Sequence, residues 1–356
     1  MKAMEAESAF TFELPSDRNA GAPPERRGLR RDRVRLLVQN RADGTVNHSS
    51  FHRLADFLRP GDCLVLNESR TIPASLQARR FSGELFLGSL EVRLARRNGE
   101  SAWDALLLRP DERKGMPSAA EASSGDMLRF SPSLHADVEL CPSSPFVTLK
   151  FNREGNELMG EIYALGEPVR YEYSEKPWEL DYYQTVYGTV PGSVEMPSAG
   201  RAFTWEMMFS LQQRHIRIAY VQLHTSLSYL YGSRLDPAHN AEYYAVSARA
   251  ADTINEAKRD GGRIIAVGTT VVRCLESAAA GDGFVRPGSD CTRLYIDETV
   301  PLRVADGLIS GLHEPEASHL HMLSAFVGIS SLRYAYDEAI REHYLWHEFG
   351  DVHLIL

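Results

Sequence analysis

Residues 264–276 read IIAVGTTVVRCLE, and this stretch decides the fold. Ile264–Val267 is a short, wholly apolar run, the mark of a strand buried on both faces. Gly268 ends it. Thr269 and Thr270 then open a segment, VVRCLESAA, with helical apolar spacing. A buried strand turning through glycine into a helix belongs to an open α/β sheet, where ligands sit at the carboxyl ends of strands. A helix start offers N–H groups and positive potential to a carboxylate or phosphate. Gly268 lets a backbone approach closely, and the threonine hydroxyls add donors. The same residues also make an ordinary capped connection, so the stretch specifies architecture more firmly than ligand.

The units on either side repeat the pattern. Ser247–Asp260 reads as a helix with a serine cap and Gly261-Gly262 as its stop. Trp205–Arg214 reads as a helix and Ile216–Leu223 (IRIAYVQL) as a strand. Two more helices are expected near 316–328 and 331–343. Toward the N-terminus, Ser49–Leu58 has helical spacing, Pro60-Gly61-Asp62 is a turn, and Cys63–Leu66 is a buried strand. Between about 74 and 165 the texture changes. Short β-like runs (LEVRLARR, WDALLLRP, MLRF, ADVEL, FVTLKF) alternate with turn clusters, which predicts an antiparallel sheet or small barrel. Pro117–Ser124 reads as its most mobile loop. The expected fold is therefore a mixed-sheet α/β domain built from residues 1–73 and 166–356, with an antiparallel, barrel-like β domain inserted at 74–165.

Composition narrows the class. The 356 residues are 43% apolar and 24% charged, ordinary values for a globular chain. No run approaches the ~18 apolar residues of a membrane helix. The first residues, MKAMEAESAFTFELP, show no apolar signal region. Cys63, Cys141, Cys274 and Cys291 are scattered without a CxxC pair, which suits reduced thiols and predicts a cytoplasmic enzyme. The net charge of −9 does not favour polyanions, so a nucleic-acid partner would need a local basic patch. Arg26, Arg27, Arg30, Arg31, Arg33 and Arg35 form the one candidate, and they also read as a solvated arm.

Two further segments carry chemistry. YQTVYGTVPGSVEMPSAGRAFT, residues 183–204, combines aromatics, glycines and hydroxyls ahead of a helix. Such a loop can wrap a planar ligand or face a sulfonium, and it also reads as a surface loop. Histidines concentrate at His224, at His239 close to Glu242, and at His313, His319 and His321. HExxH-like spacing is absent, so no metal is expected.

Taken together, these stretches resemble the S-adenosylmethionine:tRNA ribosyltransferase-isomerase (QueA) family over nearly the whole chain. The resemblance rests on FELP (12–15), RLLV (35–38), GDCLVLNESRTIPA (61–74), YQTVY and PGSV (183–194), PSAG (197–200), VQLH (221–224), GGRIIAVGTTVVRCLE (261–276), VADGLIS (304–310), MLSAF (322–326) and GDVHLIL (350–356). It implies an α/β domain with an inserted β-barrel. It also implies S-adenosylmethionine as co-substrate, without a metal. The ribosyl part is transferred and isomerised onto a 7-aminomethyl-7-deazaguanine base in tRNA, in the queuosine pathway, and adenine and methionine leave. Onto this sequence it carries His224, Glu242, His313 and Arg273 as catalytic. Pro197, Ser198, Ala199, Gly200, Gly268, Thr269 and Thr270 would hold S-adenosylmethionine, and Arg70, Tyr183, Gln184 and Arg201 the acceptor. The chain departs from the family at Ala202, where a histidine is usual, at Asn240, and at Glu316, where a basic residue is usual. Those departures keep two alternatives open: an S-adenosylmethionine enzyme with a small-molecule acceptor or a different elimination, and a non-catalytic RNA- or nucleotide-binding relative. Oligomeric state is not legible.

Overall fold

The computed structural model describes residues 12–356 apart from 110–117, 142–143, 171–173, 175, 228, 231–232, 235–240 and 316. Its centre is a nine-stranded mixed sheet. In spatial order the strands are Gly288–Thr292, Glu242–Val246, Arg217–Leu223, Cys63–Asn67, Ile264–Val267, Gly307–Gly311, Val352–Ile355, Arg35–Gln39 and Val46–Ser50. The four from Arg217–Leu223 to Gly307–Gly311 run parallel. Val352–Ile355 joins Gly307–Gly311 antiparallel and Arg35–Gln39 parallel. Chain order and spatial order therefore diverge at the middle of the sheet, the place where open α/β sheets bind ligands.

Alternation along the central strands explains why they read as unbroken apolar runs. Val65, Ile264, Ala266 and Leu308 face one core, shared with the helices Ala248–Arg259, Thr269–Ser277, Ser318–Val327 and Ile329–Arg341. Leu64, Leu66, Ile265, Val267 and Ile309 face a second core, under the helix Trp205–Gln213. Both faces are covered, so both sets of side chains are apolar. Ser247 caps its helix by accepting from the Ala250 N–H, and Thr204 caps the next by accepting from Met207.

The sheet of residues 75–151 is antiparallel and closes on itself. Its barrel strands are Ser75–Ser82, Leu85–Arg97, Ala102–Arg109, Val147–Phe151, His135–Leu140 and Met127–Arg129, and pairing of Val147–Phe151 with Ala102–Arg109 shuts the ring. The chain enters at Ser75 and leaves past the helix Gly155–Leu165. Entry and exit are bonded to each other: Ser75 N–H donates to Glu167 O at 2.9 Å and Glu167 N–H to Ser75 O at 2.8 Å. Gly166 makes this crossing possible, because a Cβ there would collide with the Pro73 carbonyl.

Several local expectations change. Ser49–Leu58 is not one helix: Val46–Ser50 is an edge strand against Arg35–Gln39, and only Phe51–Asp56 turns, as a 3₁₀ helix. Phe51 and Leu54 are buried, three residues apart, and over so short a span that spacing serves a 3₁₀ turn as well as an α-helix. Within the expected loop at 117–124, Pro117 lies outside the described residues, while Ser118–Ala119 pair with Leu108–Arg109. The arginine segment is not a free arm. Arg27 donates to Phe349 O at 2.6 Å, Arg31 pairs with Glu25 at 3.1 Å, and Arg35 lies 3.9 Å over the Tyr344 ring. Arg30 and Arg33 keep more than half of their side chains in solvent.

Candidate active site

A cavity of about 230 Å³ opens beyond the carboxyl ends of Ile264–Val267 and Gly307–Gly311. One wall is the turn at Gly268, Thr269 and Thr270, and facing it is the loop Pro197, Ser198 and Ala199. Gly268 sits at φ +101°, a conformation L side chains rarely adopt. Its N–H donates to Ile309 O at 2.8 Å, and its carbonyl accepts from Val271 N–H at 3.0 Å. A Cβ there would meet Ala199 Cβ at 3.7 Å, so the loop lies close enough that a side chain at 268 would fill the gap between them.

Glu242 and Arg273 form a second wall, each 9% exposed. Glu242 opens the strand Glu242–Val246. One carboxylate oxygen accepts from the Ser226 N–H at 3.0 Å, and the other is bound by the Arg273 guanidinium. Arg273 also donates to Leu294 O at 3.1 Å and Thr292 O at 3.3 Å. Its planar fork is thus spent on protein groups, fixing the segment that carries Tyr295 into the cavity lining. Arg273 follows Thr269 by four residues, which puts both on one helix face.

Histidines supply the third side. His313 Nε2 and Ser310 Oγ share a 2.7 Å hydrogen bond, and the ring stacks on His319 with centroids 4.4 Å apart. The His313 backbone is pinned at both ends: its N–H donates to Tyr336 Oη at 3.2 Å and its carbonyl accepts from Trp346 Nε1 at 3.0 Å. His347, at φ +72°, lies between Glu314 at 3.1 Å and Asn19 at 2.9 Å. His347 and Glu348 line this cavity and also a smaller one of about 10 Å³, whose wall includes Ala202. Among the described residues no group of three His, Cys, Asp or Glu side chains is placed to hold a metal ion.

The sequence-derived residues therefore divide. Pro197, Ser198, Ala199, Gly268, Thr269, Thr270, Glu242, Arg273 and His313 meet at the cavity. Gly200 lies behind it, where a Cβ would collide with Tyr187 Oη. His224 is set back: Nδ1 bonds Ser69 Oγ at 2.6 Å, and the ring stacks on Tyr243. Burial, then the charge of Arg97, lowers its pKa and keeps the imidazole neutral. Arg70 donates to Gly188 O at 3.4 Å. Gln184 bridges the Thr71 backbone, accepting from its N–H at 3.2 Å and donating to its carbonyl at 2.9 Å. Tyr183 packs on Phe349, and burial pushes its phenol up to about 12. Arg201 is 3% exposed and donates to Glu25 at 2.9 Å and Tyr182 O at 2.7 Å. These last four brace the chain around the site and do not line the large cavity. His239, Asn240 and Glu316 lie outside the described residues. Sequence reading assigned no role to Glu195, Tyr295, Ser310, His319, His347 or Glu348, all of which line the cavity. The histidine-rich run at 313–321 was the one local signal for His319; His347 and Glu348 arrive through long-range packing of the C-terminal segment.

Fold and site define an α/β protein with an inserted barrel, whose cavity sits at the carboxyl ends of parallel strands and is equipped with hydroxyls, carboxylates and imidazoles. The chain belongs to the family of queuosine biosynthesis proteins, whose model matches residues 7–355. It is 36% identical to the S-adenosylmethionine:tRNA ribosyltransferase-isomerase of Moorella thermoacetica, over 98% of each chain. With the protein of that name from Thermus thermophilus it shares 35% identity over 99% of this chain and 100% of the relative. Its fold is similar to the crystal structure of the S-adenosylmethionine tRNA ribosyltransferase from Thermotoga maritima, with a TM-score of 0.54, 28% identity, and coverage of 98% and 100% of the two chains. No helix among the described residues is long and apolar enough to cross a membrane.

Proposed function

We propose that the protein is an S-adenosylmethionine:tRNA ribosyltransferase-isomerase of queuosine biosynthesis, acting on a deazaguanine base in tRNA. The observation that carries this reading is that the Gly268–Thr270 turn and the Pro197–Ala199 loop face each other as walls of one cavity. Full-length likeness to relatives of that name supports it over a small-molecule acceptor or a non-catalytic role. The cavity's donor set fits S-adenosylmethionine. The start of helix Thr269–Ser277 and its two threonines suit a carboxylate. With Glu242 paired to Arg273, Glu195, Glu314 and Glu348 supply the carboxylates that suit ammonium and sulfonium charge. No metal is needed for that complementarity.

Bound there, S-adenosylmethionine supplies a sulfonium that acidifies the neighbouring ribose carbon and makes methionine and adenine able to leave. The chain's own residues then divide the work. Thr269 and Thr270 orient. Arg273 and Glu242 hold the wall as a fixed, largely buried charge pair. His313, with its backbone pinned and its Nε2 on Ser310, is the imidazole that moves a proton. Both carboxylate oxygens of Glu242 are already engaged, one by the Ser226 N–H and the other by Arg273, so its part is to hold the wall.

The deciding experiment incubates the protein with S-adenosylmethionine and an anticodon stem–loop carrying the aminomethylated deazaguanine. Adenine, methionine and a matching mass gain on the RNA are expected together. Adenine release without an RNA adduct would overturn the assignment of the acceptor.

A further inference from the structure

The helix Trp205–Gln213 buries Met207, Met208 and Leu211 but leaves two large aromatics outside. Trp205 is 50% exposed and Phe209 59% exposed. Four residues apart, they stand on one helix face and stack on each other, with centroids 6.2 Å apart and planes 27° from parallel. Arginines flank the helix at both ends. Arg30 reaches Glu206 at 3.5 Å beside the first turn, and Arg214 reaches Asp56 at 3.5 Å beside the last. In the neighbouring 3₁₀ segments Arg33 meets His52 at 3.1 Å, and Arg53 pairs with Asp56 at 2.9 Å. Each of these four arginine side chains is 51–60% exposed. Their acidic neighbours are fewer: Asp32, Asp56 and Glu206. In a chain of net charge −9 these groups leave a small local surplus of positive charge beside the exposed rings.

We propose that Trp205 and Phe209, with Arg30 and Arg33, form a docking platform for unpaired bases of an RNA loop. This deepens the tRNA reading of the cavity and rests on it. Placement supports it. Trp205 follows Ala199, which lines the cavity, by six residues, so the two lie within about 20 Å of each other. Arg35 begins a strand antiparallel to the central ones, because Leu36 pairs with Val352 and Val352 with Gly311. The arginine segment therefore lies at the cavity end of the sheet. A loop that delivers one base to a cavity must splay its neighbours, and splayed bases are held by stacking on aromatic faces while arginines take the phosphates. Purely apolar docking, as between two copies of this chain, gives no role to the surrounding arginines.

The test measures binding of a short stem–loop RNA to the full chain, with adenine release from S-adenosylmethionine as a parallel readout. Trp205→Ala together with Phe209→Ala is expected to weaken RNA binding by about tenfold or more, at one to three kcal/mol per stacked base. The salt slope should stay as in the wild type. Arg30→Gln with Arg33→Gln should instead reduce that slope by up to about two. Both ring positions are half in solvent, so thermal midpoints near the wild type are expected, and Trp205→Gln serves as a second variant if the double one melts early. Unchanged RNA affinity in variants of a wild type that binds and modifies RNA would overturn the platform and leave the activity standing. So would a wild-type dimer that these substitutions split into monomers. A wild type that neither binds RNA nor forms an adduct would remove the tRNA reading, and the platform with it.

Discussion

Arg273 and Glu242 are ion-paired and largely buried, and each also binds backbone groups of its neighbours. A pair in such a setting is weak evidence of net stabilisation, but breaking it strands one buried charge. Arg273→Met should therefore cost about 3 kcal/mol, and Glu242→Gln a comparable amount, while the double variant loses clearly less than their sum. Urea unfolding of the four proteins checks this; strict additivity would mean that the two side chains do not interact. His353 presents the opposite case. It is fully buried on a central strand with neither ring nitrogen hydrogen-bonded, and burial pushes its pKa down to about 3. Unfolding restores an ordinary histidine, so the unfolded chain binds the extra proton between about pH 6.5 and pH 3. Stability contributed by the neutral ring is present above that window and is lost as pH falls through it. The wild type should lose about 2 kcal/mol more than His353→Leu between pH 7 and pH 5. Parallel stability curves for the two proteins would contradict that.

At the scale of elements, the strand–turn–helix at 264–276 was legible because each part has a local signal: an apolar run, a glycine, a helical period. Its far end carries more than spacing revealed. Glu276 accepts from the backbone N–H groups of Arg303, Val304 and Ala305 at 2.9–3.0 Å, and so sets the approach to the strand Gly307–Gly311. Gly268→Ala should cost about 1–3 kcal/mol, since alanine must be forced to φ +101°. A thermal shift below that of an exposed Gly→Ala control, such as Gly281→Ala, is the check. Thr269→Val with Thr270→Val should weaken S-adenosylmethionine binding by about 5- to 150-fold, at 0.5–1.5 kcal/mol per lost hydrogen bond. Unchanged affinity by calorimetry would place the ligand elsewhere. What was not legible came from pairing at a distance. Val352–Ile355 is a short run broken by His353 that nothing local assigns to the sheet interior, yet its pairing brings His347 and Glu348 to the cavity. Arg201 and Gln184 sit in loop-like sequence beside the binding motif, and only the fold shows that Glu25 and Thr71 already hold them.

Across the whole molecule, the apolar cores divide as the sequence texture does. We propose that residues 74–165 fold as a unit inserted into the α/β domain made by the two flanking segments. The barrel has its own core, in which Trp103, Leu128, Ala136 and Leu149 are almost fully buried. That core includes Ile72, Val194 and Leu227 at the junction, so the two units touch but do not share a centre. Trp103→Ala should cost about 3–5 kcal/mol within the barrel. Because local opening follows cooperative units, hydrogen exchange in that variant should accelerate across 75–151 and leave Ile264–Val267 protected. Leu64→Ala, in the central sheet, should do the reverse. Its loss of protection should reach Ile264–Val267 and Gly307–Gly311, which hydrogen-bond to one another beside it, and spare Leu128 and Leu149. Exchange that rose evenly over both regions in either variant would show one cooperative unit. The barrel would then be part of the sheet's stability rather than an insertion carried by it.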